Sequence, residues 1–97
     1  MIRAFEDPGI EDIFNGRDTK AARRCCPRQL WSVAIRRLEQ LDSAVALADL
    51  RVPPGNRLEA LAGDRTGQYS IRINDRCRIC FVWTEDGPAR VEIVDYH

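Results

Sequence analysis

The chain has 97 residues, 44% of them hydrophobic, with 15 basic and 15 acidic side chains and a formal net charge of 0. That length makes one domain, able to bury about 60–70% of its unfolded surface in a single core without staples. No apolar run approaches the ~20 residues of a membrane span, zero net charge argues against indiscriminate affinity for nucleic acid, and the start, Met1-Ile2-Arg3-Ala4-Phe5-Glu6, lacks the apolar stretch of a signal peptide, so the expected setting is the cytoplasm, with no membrane partner.

Residues 2–5 read as a short first strand. Pro8 to Phe14 reads as a short helix, with Asp7 as N-cap, Pro8 in the first helical position and Gly16 as the stop. Residues 17–26 are polar, basic and unpatterned, and are expected to form an exposed loop or a mobile segment. The clearest helix is Pro27 to Leu41. Leu30, Val33, Ala34, Leu38 and Leu41 form its apolar stripe, Trp31 and Ile35 widen it, and Arg28, Ser32, Arg36 and Glu39 fall largely outside it. Ser43 can cap a further short turn through Leu50, and Pro53-Pro54-Gly55-Asn56 then breaks any helix. The composition is helical before this point and strand-like after it. The expected architecture is α+β in one domain, residues 1–97, with the N-terminal helices packed on one face of a mainly antiparallel sheet.

From Leu58 onward the central hairpin can be placed in register. Tyr69, Ile71 and Ile73 alternate with Gln68, Ser70 and Arg72, while Ile79, Phe81 and Trp83 alternate with Arg78, Cys80 and Val82. A three-residue loop, Asn74-Asp75-Arg76, sets Ile73 opposite Cys77, Ile71 opposite Ile79 and Tyr69 opposite Phe81, with every apolar pair on one face. A two-residue loop would mix the faces. The chosen register puts Arg72 directly opposite Arg78, on the face away from the helices. Like charges so placed are unfavourable, which leaves two readings: an anion between them, or two solvated arginines splayed apart. Glu85 to Pro88 reads as a turn and the last strand as starting at Ala89. Val91 and Ile93 continue the apolar face; Arg90, Glu92, Val94 and Tyr96 continue the other. Strict alternation sends Asp95 and His97 to the core side unless a bulge re-aims them.

Lys20 is the only lysine, so the basic charge is nearly all arginine, whose planar fork matches phosphate oxygens. The four cysteines do not suggest a metal site. Cys77 and Cys80 sit three apart in a strand, on opposite faces, and Cys25-Cys26 are adjacent, so all read as small buried or half-buried thiols rather than ligands or disulfides. What remains is a polar set: Arg72, Arg78 and Tyr96, with Asp95, the sole histidine His97, and Arg65 and Glu59 upstream. This set fits cleavage of RNA through its own 2′-hydroxyl. That reaction needs a base for the 2′ proton, cations for the charged phosphorane and an acid for the leaving 5′ oxygen. The competing reading from the residues is a small α+β binding domain with a basic face.

Several runs carry a resemblance: Pro53-Pro54-Gly55-Asn56-Arg57-Leu58-Glu59, Gly63-Asp64-Arg65, Gly67 through Asn74, Arg78-Ile79-Cys80-Phe81, and the ending Val94-Asp95-Tyr96-His97. Together they resemble the HigB branch of the RelE/ParE toxin superfamily, densely over residues 53–97 and loosely over residues 17–30. The resemblance implies a RelE-like fold and a toxin of a type II toxin–antitoxin module. It implies ribosome-dependent endonuclease activity on mRNA without metal or other cofactor, and neutralisation by a HigA-like helix-turn-helix antitoxin through which alone operator DNA is engaged. A same-fold toxin acting on a protein such as DNA gyrase is the alternative, and a weakened toxin a third. Carried over by position, His97, Tyr96, Asp95 and Arg78 are candidate catalytic residues. Arg72, Arg65, Arg57 and Arg76 are candidate RNA contacts. Where some family members read Leu-His-Pro-Leu-Lys-Gly, this chain has Leu58-Glu59-Ala60-Leu61-Ala62-Gly63, so a histidine and a lysine are replaced. Glu59 then joins His97 as a candidate base.

Overall fold

The computed structural model describes residues 1–95. Helix α1, Pro8–Phe14, forms as its caps dictate: the Asp7 carboxylate accepts from the Ile10 N–H at 3.1 Å, and Pro8 opens the first turn. Gly16 follows with φ at 75°.

The stretch expected as a loop contains a second helix, α2, Lys20–Cys25. Thr19 makes it: its hydroxyl accepts from the Ala22 N–H at 3.0 Å and donates to Asp12 of α1 at 2.7 Å. Ala22 is fully buried and the arginines face solvent. A helix of six residues with alanines on its packed face has no long apolar stripe, so periodicity could not find it. The two short helices touch closely, for a Cβ added to Gly9 would lie 2.4 Å from the Ala21 carbonyl oxygen.

The main helix begins with a 3₁₀ turn, Arg28–Leu30, and continues as α3, Trp31–Ser43, burying Ala34, Leu38 and Leu41. The indole N–H of Trp31 donates to the Cys26 carbonyl at 2.8 Å, joining α3 to the end of α2. Short 3₁₀ turns at Leu47–Arg51 and Pro54–Asn56 lead to the sheet.

Four strands, β1 Glu59–Ala60, β2 Gln68–Arg72, β3 Cys77–Thr84 and β4 Gly87–Asp95, pair antiparallel in the order β1-β2-β3-β4. Tyr69 faces Phe81, Ile71 faces Ile79 and Arg72 faces Arg78, the register the alternation required. Ile71, Ile79, Phe81 and Val91 are fully buried and share one core with Ile10, Ile13, Leu38 and Leu41. At about 25 cal/mol per Å² of apolar surface, each such side chain contributes roughly 1.5–3 kcal/mol.

Two sheet details differ from expectation. The N-terminal stretch is not a strand of its own but lies parallel to β4. Phe5 bridges Val91, the Arg3 N–H donates to the Pro88 carbonyl at 2.8 Å, and the Glu6 N–H donates to the Val91 carbonyl at 2.8 Å. β4 starts at Gly87, after a two-residue turn of Glu85 and Asp86, because Gly87 takes φ of 124° and Thr84 hydrogen-bonds the Gly87 carbonyl at 2.6 Å. Farther along, Cys80 pairs with Glu92 but Val82 with Ala89, so Arg90 and Val91 together face Phe81 in a bulge, with Arg90 at φ 52°. Among the described residues no helix is long and apolar enough to cross a membrane.

Candidate functional site

The face of the sheet away from the helices carries Gln68, Ser70 and Arg72 from β2, Arg78, Cys80 and Val82 from β3, and Glu92 and Val94 from β4. Cross-strand pairing arranges these in rows. Glu59, Ser70, Cys80 and Glu92 form one; Arg72, Arg78 and Val94 form the next.

Arg78 is the centre. Its Nε donates to the Ser70 hydroxyl at 2.7 Å, and its Nη2 donates to the Arg57 carbonyl at 2.6 Å and, more weakly, to the Ser70 carbonyl at 3.4 Å. Its side chain is only 15% exposed, and a Glu59 carboxylate oxygen lies 3.9 Å away. The Arg57 carbonyl points inward because Arg57 has φ 47°, a left-handed conformation, just after Asn56. Asn56 is fully buried and donates to the Leu50 and Val52 carbonyls at 3.1 and 3.3 Å, fixing the turn. A guanidinium held by several acceptors is set in place before any substrate arrives, the condition under which a cation stabilises developing charge well.

Two shallow cavities flank Arg78. One, of about 280 Å³, is polar and is lined by Arg57, Glu59, Arg72, Asn74, Asp75 and Arg78. The other, of about 370 Å³, adds apolar wall from Leu61 and Ala62, beside Glu59, Arg65, Asp75 and Arg78. Arg65 leans across the sheet to Glu92 at 2.8 Å and to the Gln68 side chain at 3.0 Å. Arg72 pairs with Asp75, three residues on in the hairpin loop. Each of these three arginines thus has a carboxylate of its own: Arg65 with Glu92, Arg72 with Asp75, Arg78 with Glu59.

Of the residues singled out from sequence, Arg57, Glu59, Arg65, Arg72 and Arg78 come together here. Arg76 and Asp95 do not. Asp95 pairs across the ladder with Cys77, its carboxylate 3.5 Å from Arg76, and the two line a cavity with Pro27, Leu30 and Cys77 on the helix side of the sheet. The bulge at Arg90 lies too early in β4 to re-aim Asp95, so the strict alternation holds at this end. Tyr96 and His97 lie outside the described residues. Sequence reasoning missed Ser70, the Arg57 carbonyl and Asp75. Ser70 was within reach, since alternation puts it on the arginine face beside Arg78. The other two depend on loop conformation.

Cys77 is buried on the helix side and Cys80 on the arginine side. Among the described residues no three His, Cys, Asp or Glu side chains are grouped to hold a metal ion. Burial pushes the Cys25 thiol up to about 12, helped by the nearby Asp7 charge, and pushes Cys26 up to about 11. Both are therefore neutral, unreactive thiols near neutral pH.

Residues 3–97 match the family described as the RelE-like toxin of type II toxin–antitoxin system HigB. The chain is 40% identical over all its 97 residues to Toxin HigB-1 of Vibrio cholerae serotype O1, covering 98% of that protein. It is 36% identical over 77 residues to an uncharacterized protein of Haemophilus influenzae, covering 79% of this chain and 73% of that one. Among solved structures, a chain of the YoeB–YefM complex from Staphylococcus aureus superposes with a TM-score of 0.59 at 16% identity, covering 100% of this chain and 95% of that one, which shows a shared fold.

Proposed function

The chain belongs to the HigB family of RelE-like toxins of type II toxin–antitoxin systems, and from that premise we propose that it is a ribosome-dependent mRNA endonuclease whose reaction centres on Arg78. The observation that carries the proposal is the Arg78 guanidinium, anchored by Ser70 and the Arg57 carbonyl between two cavities, with the Glu59 carboxylate beside it.

The chemistry needs only the RNA and these side chains. A base removes the proton of a 2′-hydroxyl, and the 2′ oxygen attacks the adjacent phosphorus. The bond from phosphorus to the 5′ oxygen breaks, leaving a 2′,3′-cyclic phosphate, and an acid returns a proton to the departing oxygen. Arg72 and Arg57 hold the scissile phosphate, and Arg78 stabilises the charge that builds on its oxygens. Glu59 stands next to this point and is suited to take the first proton. His97 and Tyr96 are proposed for the remaining proton transfer and for stacking on a base.

The face is shallow and open, so it does little to fix a flexible strand in an attack geometry. Such positioning is worth orders of magnitude in rate, and the ribosome is proposed to supply it. A helix-turn-helix, HigA-like antitoxin is the proposed partner, the relative from Staphylococcus aureus having been solved as a YoeB–YefM complex.

The test is to induce the toxin in growing cells, map new mRNA 5′ ends and follow DNA supercoiling. Fresh ends inside translated frames, lost when Tyr96 and His97 are deleted, are expected. Growth arrest with intact mRNA and altered supercoiling would instead identify an inhibitor of gyrase.

A further inference from the structure

The polar cavity beside Arg78 already contains an anion, and it belongs to the protein. Asp75 extends from the loop between β2 and β3, lines both cavities and pairs with Arg72. The loop backbone is pinned independently of that carboxylate: the Asn74 side-chain oxygen accepts from the Arg76 N–H at 3.0 Å and from the Cys77 N–H at 2.7 Å. Arg72 is likewise held from behind, its carbonyl accepting from Arg37 at 3.1 Å. The Asp75 side chain is 92% exposed while that of Arg72 is 30% exposed. The carboxylate can therefore swing into solvent by rotating about its own bonds, with no change in the loop or the strand.

We propose that Asp75 is a specificity-determining latch, an internal phosphate mimic on Arg72 that a phosphate of the RNA strand must displace. The inference rests on the RNA-cleaving reading of this same face. It also bears on the Arg72–Arg78 juxtaposition, for each of the two arginines has a carboxylate of its own, Asp75 from the loop for Arg72 and Glu59 from β1 for Arg78. Exposed ion pairs are weak, so an RNA strand engaging Arg57, Arg72 and Arg78 together can displace the carboxylate. A single small anion meets a site already neutralised. The latch keeps the face poorly attractive to free phosphates and loose RNA, and reserves it for a strand presented in register.

The experiment measures binding of a short 2′-O-methyl RNA, which cannot be cleaved, by fluorescence anisotropy at low salt. The wild type, Asp75→Asn, Arg72→Gln and the double variant are compared. Asp75→Asn is expected to bind about two- to fivefold tighter than the wild type, the size of a weak exposed pair removed. In the Arg72→Gln background the same change is expected to have little effect. Unchanged or weaker binding by Asp75→Asn overturns the latch. So does an equal gain in both backgrounds, which marks a general charge effect. If neither the wild type nor Asp75→Asn binds while both remain folded, the latch is overturned, since removing its carboxylate uncovers no phosphate site; the RNA-cleaving reading is decided separately, by mRNA cleavage with ribosomes present. Binding by the wild type that Asp75→Asn leaves unaltered removes the latch alone.

Discussion

Arg78 is 15% exposed and reaches oxygens on two different elements, the Ser70 hydroxyl on β2 and the Arg57 carbonyl in the turn before β1. Lysine keeps the charge but has one donor head and cannot span both. Arg78→Lys is therefore expected to lower mRNA cleavage by about 10²-fold or more, in line with loss of one fixed charge-stabilising group. Its melting temperature should stay within a few degrees of the wild type, and a variant that cleaves at the wild-type rate would remove Arg78 from the chemistry. The cysteines give a second expectation. Cys25 and Cys26 ionise near 12 and 11 when folded, against an ordinary 9.0. Because their folded values are raised, the stability they contribute is complete below pH 9 and is lost as pH rises through about 11 to 12. Alkylation by iodoacetamide at pH 8 should be at least about tenfold slower at these two thiols in the native protein than in the unfolded chain. Equal rates would show that burial does not protect them.

At the scale of elements, the contact between α1 and α2 is set by Gly9 against the Ala21 carbonyl. Gly9→Ala drives a methyl to within 2.4 Å of backbone, and backbone cannot rotate away. The expected cost is about 1–3 kcal/mol by overpacking, read as a drop in melting temperature. Thr19→Ala should cost about 1 kcal/mol by removing the cap of α2. The β2–β3 hairpin was legible in the sequence because alternation on both strands and the loop length allow only one register with all apolar pairs on a single face. α3 was legible from its stripe. α2 was not, since alanines and a half-buried cysteine do not stand out from a basic stretch. The pairing of Phe5 with Val91 was not either, because parallel contacts between the two ends of a chain leave no local pattern.

At the scale of the whole molecule, a radius of gyration of 12.3 Å matches a compact chain of this length, about 12.5 Å. The arginine face is an outer surface of that body, not a deep cleft. Its charges were legible in part. Register alone put Arg72 opposite Arg78, and alternation put Ser70 beside them. The inward Arg57 carbonyl and the Asp75 contact arise from a left-handed residue and a side-chain torsion in loops, which pattern does not encode. An open face whose Arg65, Arg72 and Arg78 are already paired fits the proposal that RNA is delivered to it in position. The most direct measurement is cleavage of a defined mRNA in a purified translation system, with and without ribosomes, by wild type and Arg78→Gln. The account predicts discrete cuts within the translated frame by the wild type only when ribosomes are present, and none by Arg78→Gln. Cleavage retained by Arg78→Gln, or equal cutting of naked mRNA, would contradict it.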